Sequence, residues 1–252
     1  MTKPGDKERI TQNRVVKLFQ DELKYRYLGN LEKEENNSNV DEILLTAFLT
    51  KKGYTKNQIS KALYEFYKAV NINTHDDLYQ ANKEVYSQLR YGIKVKEEAG
   101  ENKETVYLID WKNPLENDFA IAEEVTIKGV HNKRPDIVIY VNGIALGALE
   151  LKRSTVSVSE GIRQSNDNQK HIFIKPFFTT IQLVMAGQDV EGLRYAGIDT
   201  SEKYYQKWKE VSEEFNPNDT YLLELTKSLR EQAAKAENLL DKNIIEMLNK
   251  ER

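Results

Sequence analysis

"RPDIVIYVNGIALGALELKRS", residues 134–154, decides the fold. Two apolar, β-branched runs flank Asn142-Gly143, a pair that favours a tight turn, so the stretch is read as a β-hairpin. It also carries charge where burial is expected. Asp136 stands at the mouth of one strand, and Glu150 and Lys152 lie inside the other. Carboxylates and ammonium groups cost several kcal/mol to bury unless paired or metal-bound.

Three other acid-x-lysine triplets show how weak that spacing is alone. Glu22-Leu-Lys24 falls in a helical pattern, Glu101-Asn-Lys103 in a polar turn, and Asp110-Trp-Lys112 ends a strand before Asn113-Pro114. The first two read as solvated charge pairs and the third lacks a nearby upstream Pro-Asp; only Glu150-Leu151-Lys152 sits within an apolar strand. Strand alternation puts Glu150 and Lys152 on one face and Leu149 and Leu151 on the other. A two-residue turn at Asn142-Gly143 would pair Asp136 with Leu149 and separate the two acids. A three-residue loop over Asn142, Gly143 and Ile144, with Gly143 at positive φ and a G1 bulge, sets Asp136 opposite Glu150, and this bulged form is expected. The two carboxylates and the Leu151 carbonyl then make a hard oxygen nest for Mg²⁺, with Lys152 beside an attacking water. That chemistry suits phosphodiester hydrolysis, although an acid beside an ELK strand also arises as an edge-strand charge pair.

Working outward, residues 128–175 hold eight Lys/Arg against four Asp/Glu, a local excess hidden by the overall charge of −3. Short β-rich runs ("GIKVKEE", "TVYLIDW", "AIAEEVTI") precede the hairpin, and "FFTTIQLVMAG" and "LRYAGI" follow it. Ser157, three residues before Glu160, starts a helix after the ELK strand. On that helix Glu160, Gln164 and Asn168 lie one turn apart on one face. The first 80 residues have helical apolar spacing, with Asn39 and Glu42 resembling a capping box. A further helix over about 76–90 runs into Gly92, and the chain is helical again from about 200. The expected division is a helical region 1–80, an α/β core 81–200 and C-terminal helices 201–252. The end at "LNKER" has no clear cap, as expected of a piece of something longer.

With 252 residues and 39% apolar content the chain can bury a sizeable core. It has no cysteine and three scattered histidines (His75, His131, His171), which argues against disulfides and a structural metal. No apolar run is long enough to cross a bilayer and no signal core opens the chain, so a soluble protein without membrane contact is expected.

Pro135-Asp136, Glu150-Leu151-Lys152 and the helix carrying Gln164 resemble the PD-(D/E)xK nuclease superfamily. More narrowly, the chain is similar to the N-terminal endonuclease region of the restriction (motor) subunit of type I restriction-modification enzymes. "YRYLGN" (25–30), "LIDWKNPLENDFAIAEEVT" (108–126), "RPDIVIYVNGIALGALELK" (134–152), "SEGIRQSNDNQ" (159–169) and "FFTTIQLVMAGQDVEGLRYAGI" (177–198) carry that likeness in order. The resemblance implies a PD-(D/E)xK restriction-endonuclease-like α/β core, a mixed sheet with flanking helices and further helical segments at both ends. It implies Asp136 and Glu150 as metal ligands, Lys152 as the catalytic lysine, and Gln164 as the first residue of a supporting Q-x-x-x-Y element. Asn168 stands where that tyrosine would be. Many superfamily members use an acid on a helix before the first strand, and Glu84 is the candidate. Implied too are Mg²⁺, cytoplasmic location, double-stranded DNA, and methyltransferase and specificity subunits as partners. DNA contacts are expected at phosphates, without sequence readout, through Arg134, Arg153, Arg163, Asn168, Lys170 and Lys175. ATP would serve only absent motor domains, since none of the 12 glycines is followed by the lysine of a Walker A loop. Two alternatives remain open: a non-catalytic DNA-binding or docking module of the same fold, and a stand-alone resolvase or repair nuclease.

Overall fold

The computed structural model describes residues 4–96, 102–208 and 220–250. Glu101 and the expected turn residues 99–101 lie outside these, as do the final two residues of "LNKER". A seven-stranded mixed sheet forms the centre, in the order β1 (Arg26–Asn30), β4 (Phe119–Glu123), β5 (Ile137–Val141), β6 (Ile144–Leu151), β7 (Leu183–Gln188), β8 (Gly192–Ala196) and β9 (Gln206–Lys207). β1–β4 and β6–β7 are parallel and the other neighbours antiparallel. A separate two-stranded sheet pairs β2 (Ile93–Val95) with β3 (Glu104–Val106).

Alternation along the central strands divides the core in two. Val138, Tyr140, Ala148 and Ala186 face a layer containing α5 (Val158–Asn168) and the 3₁₀ turn Lys175–Thr179. Ile137, Ile139, Leu149, Leu151 and Met185 face α1 (Pro4–Asp21) and α7 (Leu239–Met247) on the other side. A third cluster joins α2 (Glu42–Lys51), α3 (Lys56–Val70), α4 (Leu78–Tyr91) and the small sheet around Val141 and Ile144, beside the hairpin turn. α6 (Thr220–Ala233) packs against α7.

The hairpin differs from the expected form. Val141 pairs with Ile144, so the turn has two residues, Asn142 at φ 53° and Gly143 at φ 83°. The extra residue is Leu146, inserted in β6 between the Tyr140–Ala145 and Ile139–Gly147 pairs. Beyond this bulge Ile137 pairs with Leu149, which brings Asp136 level with Glu150. The offset is as expected, but its source is a mid-strand bulge and not a three-residue loop.

Other local expectations are corrected too. The first 80 residues are not wholly helical, because β1 enters the central sheet. α2 is capped by Asp41, whose side chain accepts the Leu44 N–H at 3.0 Å. Asn39 instead turns inward and donates to the Thr179 hydroxyl at 2.9 Å. Phe177–Thr179 lie in the 3₁₀ turn and Thr180 caps it, so the strand expected there begins only at Leu183. Ser157 does cap α5, but through the Ser159 N–H at 3.3 Å, while Glu160 pairs with Arg163.

Candidate active site

Asp136 follows the cis-free Pro135 step into β5, and its carboxylate accepts the Leu151 N–H at 2.6 Å. That bond fixes Asp136 across the strand gap beside Glu150, whose residue is 1% exposed. The Asp136 charge acts directly on the Glu150 carboxyl. Burial pushes the Asp136 carboxyl up to about 6, against the opposing pull of the Leu151 N–H and the Lys152 charge. Glu150 is pushed well above the ordinary carboxylate range, first by burial and then by the negative charge of Asp136. Two acids so close do not ionise together without a compensating cation.

α5 supplies the wall facing Glu150. A Cβ on Gly161 would stand 3.0 Å from the Ala186 Cβ and 3.7 Å from the Glu150 Cβ, so the small residue lets the helix lie against β6 and β7. At this distance Gln164 Nε2 donates to Glu150 Oε2 at 2.6 Å, and Asn168 Nδ2 to Glu150 Oε1 at 3.0 Å. Gln164 Oε1 in turn accepts from Lys152 Nζ at 2.8 Å. The Gln164 amide thus ties the acid to the base, one end to each.

The sheet's other face brings a residue not foreseen from sequence. Glu8 of α1 pairs with Lys152 Nζ at 3.3 Å. One turn on, Gln12 donates to Glu123 at 3.1 Å and to the Asp136 carbonyl at 3.4 Å. Arg9 joins Glu123 at 3.2 Å and Glu124 at 3.1 Å, and the Tyr27 hydroxyl donates to Glu123 at 2.8 Å. Helical spacing from the apolar stripe of Val15, Val16 and Phe19 runs through Gln12, buried in the structure, toward Glu8, but spacing alone does not say what that end of the stripe covers.

Glu84, by contrast, is exposed on α4, bonds Gln88 at 3.3 Å, and lines a groove with Lys61, Tyr64 and Lys94 that contains none of the site residues. The structure does not bring it to the hairpin. Among the expected phosphate contacts, Asn168 is 1% exposed and faces Glu150, not the surface. Arg134 is bound to Glu124 at 2.6 Å and also to Glu32. Arg163 pairs with Glu160 at 2.6 Å and Glu202 at 3.0 Å, and Lys170 with Asp167 at 2.5 Å. Arg153 has no ion partner among the described residues and lines an open groove of about 600 Å³ over Lys152 and Gln164, together with Lys133 and Glu8. Lys175 carries its charge near Asp199.

Among the described residues no group of three or more His, Asp or Glu could hold a metal together. Mg²⁺ does not require one, because it keeps several waters and commonly takes one or two carboxylates plus substrate oxygens. Asp136 and Glu150 supply such a pair. A strand residue's N–H and C=O point the same way, so the Leu151 carbonyl opens toward Asp136 as its N–H does. This hard-oxygen donor set fits the cation.

Residues 6–203 match the family described as type I restriction enzyme R protein N terminus. Among curated proteins, the chain is 34% identical over 70 residues to the type I restriction enzyme EcoprrI endonuclease subunit of Escherichia coli, covering 28% of this chain and 22% of that one. It is 33% identical over 92 residues to the putative type I restriction enzyme MjaIXP endonuclease subunit of Methanocaldococcus jannaschii, covering 34% and 9%. It is 29% identical over 102 residues to the SauMSSORF170P endonuclease subunit of Staphylococcus aureus, covering 40% and 11%. The matched stretch is thus 22% or less of each relative's length. Among the described residues no helix is long and apolar enough to cross a membrane.

Proposed function

The chain belongs to the family of type I restriction enzyme R protein N termini, and from that premise we propose that it is the cutting module of such an enzyme, a PD-(D/E)xK-type nuclease that hydrolyses phosphodiester bonds of duplex DNA with Mg²⁺. The observation that carries this reading is the Leu151 N–H to Asp136 bond at 2.6 Å, which sets Asp136 beside Glu150 at the strand edge where Lys152 emerges. Asp136, Glu150 and the Leu151 carbonyl would hold the metal. When bound, Mg²⁺ polarises a phosphate oxygen and makes a coordinated water a better nucleophile.

The remaining work falls to side chains of this chain. Lys152 offers its ammonium to the negative charge that builds on the phosphate during attack. Gln164 orients that ammonium through its Oε1 while its Nε2 steadies Glu150. Asn168 adds a second donor to Glu150, so a side chain without a ring fills the expected tyrosine position as a buried support. Arg153 and Lys133, at the groove over Lys152, are placed to meet DNA phosphates without reading bases. In a full-length subunit, ATP would act through motor domains, and methyltransferase and specificity subunits would select the target. The setting would be the cytoplasm, where incoming foreign DNA is met.

A second reading rests on the closed chain Glu8–Lys152–Gln164–Glu150, which also suits a purely structural ion network in a docking module. Plasmid nicking in Mg²⁺ separates the two. Lys152→Ala is expected to keep the circular dichroism spectrum and lower cutting by about a hundredfold or more, the scale of losing one transition-state donor. The comparison is made both in this chain and in a full-length subunit assembled with its partners. Cutting at an unchanged rate would favour the structural network.

A further inference from the structure

Across the molecule, a further concavity of about 260 Å³ is lined by Phe48, Tyr54, Arg90, Tyr107, Trp111 and Lys112, among others. In the segment after β3, Tyr107 and Ile109 to Lys112 line it, while Leu108 is fully buried. Tyr107 and Trp111 are each 49% exposed, and Trp111 is anchored through its ring and Tyr107 through its backbone. The Trp111 indole N–H donates to the Leu89 carbonyl at 2.8 Å, and the Arg90 guanidinium lies 5.3 Å from the ring centre. The Tyr107 backbone N–H donates to the Tyr54 hydroxyl at 3.0 Å. An exposed ring already fixed, as that of Trp111 is, loses little freedom when something stacks on it.

The rim is positive. Asp110, the acid in the lining, is occupied by the Lys52 amine at 2.7 Å and the Lys112 and Asn113 N–H groups at 3.1 and 2.9 Å. Among the described residues neither Arg90 nor the Lys112 amine has a carboxylate partner. Fixed aromatic walls with unneutralised cations suit a planar ring carrying a phosphate on each side. The volume falls just below the roughly 300–1,000 Å³ of sites for larger small molecules, which suits one ring system.

We propose that this pocket takes an unpaired nucleobase of single-stranded DNA, stacked against Tyr107 and Trp111, with the neighbouring phosphates meeting Arg90 and Lys112. The proposal rests on the nuclease reading only in taking the strand to be DNA. Asn142 Nδ2 donates to the Leu108 carbonyl at 2.9 Å, tethering this segment to the hairpin turn, at the end of β5 and β6 remote from Asp136 and Glu150. β6 has eight residues, so the two sites lie roughly 25 Å apart along the sheet at about 3.3 Å per residue.

Tryptophan emission tests it directly. The chain has two tryptophans, so Trp208→Phe leaves Trp111 as sole reporter. In EDTA, where metal-dependent cutting is silent, titration with an oligothymidylate of about a dozen nucleotides is expected to quench Trp111 saturably. Added Tyr107→Ala should weaken the apparent affinity about fivefold or more. Arg90→Ala with Lys112→Ala should weaken it severalfold and flatten its dependence on salt. Unquenched emission from a protein shown folded by circular dichroism overturns the proposal. So does equal quenching by polyglutamate, which would mark a general anion surface, or quenching by a proline-rich peptide and not by the oligonucleotide, which would mark a protein partner. Failure of the nuclease reading appears in the nicking assay and leaves this readout untouched.

Discussion

At the residue scale, the interest lies in two acids held where their charges oppose each other. The Asp136 carboxyl keeps its proton to about pH 6, whereas in the unfolded chain it releases it near pH 4. Between those values the folded state binds the extra proton, so stability falls as pH rises through the window. Above it the cost is on the order of 2–3 kcal/mol. Asp136→Asn keeps an oxygen for the Leu151 N–H but carries no charge. In EDTA its stability relative to the parent should therefore rise between about pH 4 and pH 7, by up to that amount. Urea unfolding across the range checks this, and a constant difference would remove Asp136 as the titrating group. Alternation and register bring Asp136, Glu150 and Lys152 together in the sequence, because they carry side-chain direction, whereas Gln164 joins them only through the family resemblance. Neither was enough for Glu8. The resemblance puts the acid on a helix before the first strand, and without β1 in the sequence pattern that helix is α4, not α1.

At the element scale, the hairpin shows how one offset can have two sources. Register near Asp136 depends only on a residue being looped out between turn and site, and periodicity cannot say where. Packing decides it: a Cβ on Gly143 would stand 2.6 Å from the Asp41 carbonyl and 2.8 Å from the Leu44 Cβ, so the turn is pressed against the start of α2. Asn142 at φ 53° and Gly143 at φ 83° make it a left-handed pair of the kind that matches strand twist. Gly143→Ala is expected to lower stability by about 2 kcal/mol or more, through positive φ and that contact together. Chemical denaturation measures it, and a loss below about 0.5 kcal/mol would mean the turn relaxes freely. β1 escaped notice for a different reason. "RYLGN" is short, contains Gly29 and Asn30, and shows no apolar alternation, since its place comes from pairing with β4 about ninety residues on.

At the scale of the whole molecule, the sheet is closed by segments from both ends of the sequence. α1 and α7 cover the same face, where Phe19, Leu149, Leu151, Leu240 and Ile244 share one cluster. Arg14 of α1 clasps Asp189 at 2.5 Å and also Asp241 of α7. Expected limits at 80 and 200 therefore do not bound the sheet, which takes β1 from one side and β9 from the other. Apolar stripes revealed that these helices had a buried face, but not which surface they would cover. Leu240→Ala, at a fully buried position, should cost about 2–5 kcal/mol. The same variant should speed amide exchange in β7 and β8, which α7 covers. Protection unchanged in those strands would show that α7 docks as a separate unit.

The Glu8–Lys152 pair has a consequence in time. The two residues are 144 positions apart, and at about 5–20 residues per second a ribosome needs on the order of ten seconds or more to pass from one to the other. Through that interval the segment that will cover the lysine has been made, with neither the strand it packs on nor the charge it is to meet. The pocket around Lys152 is completed only when the strand made later meets the segment made earlier.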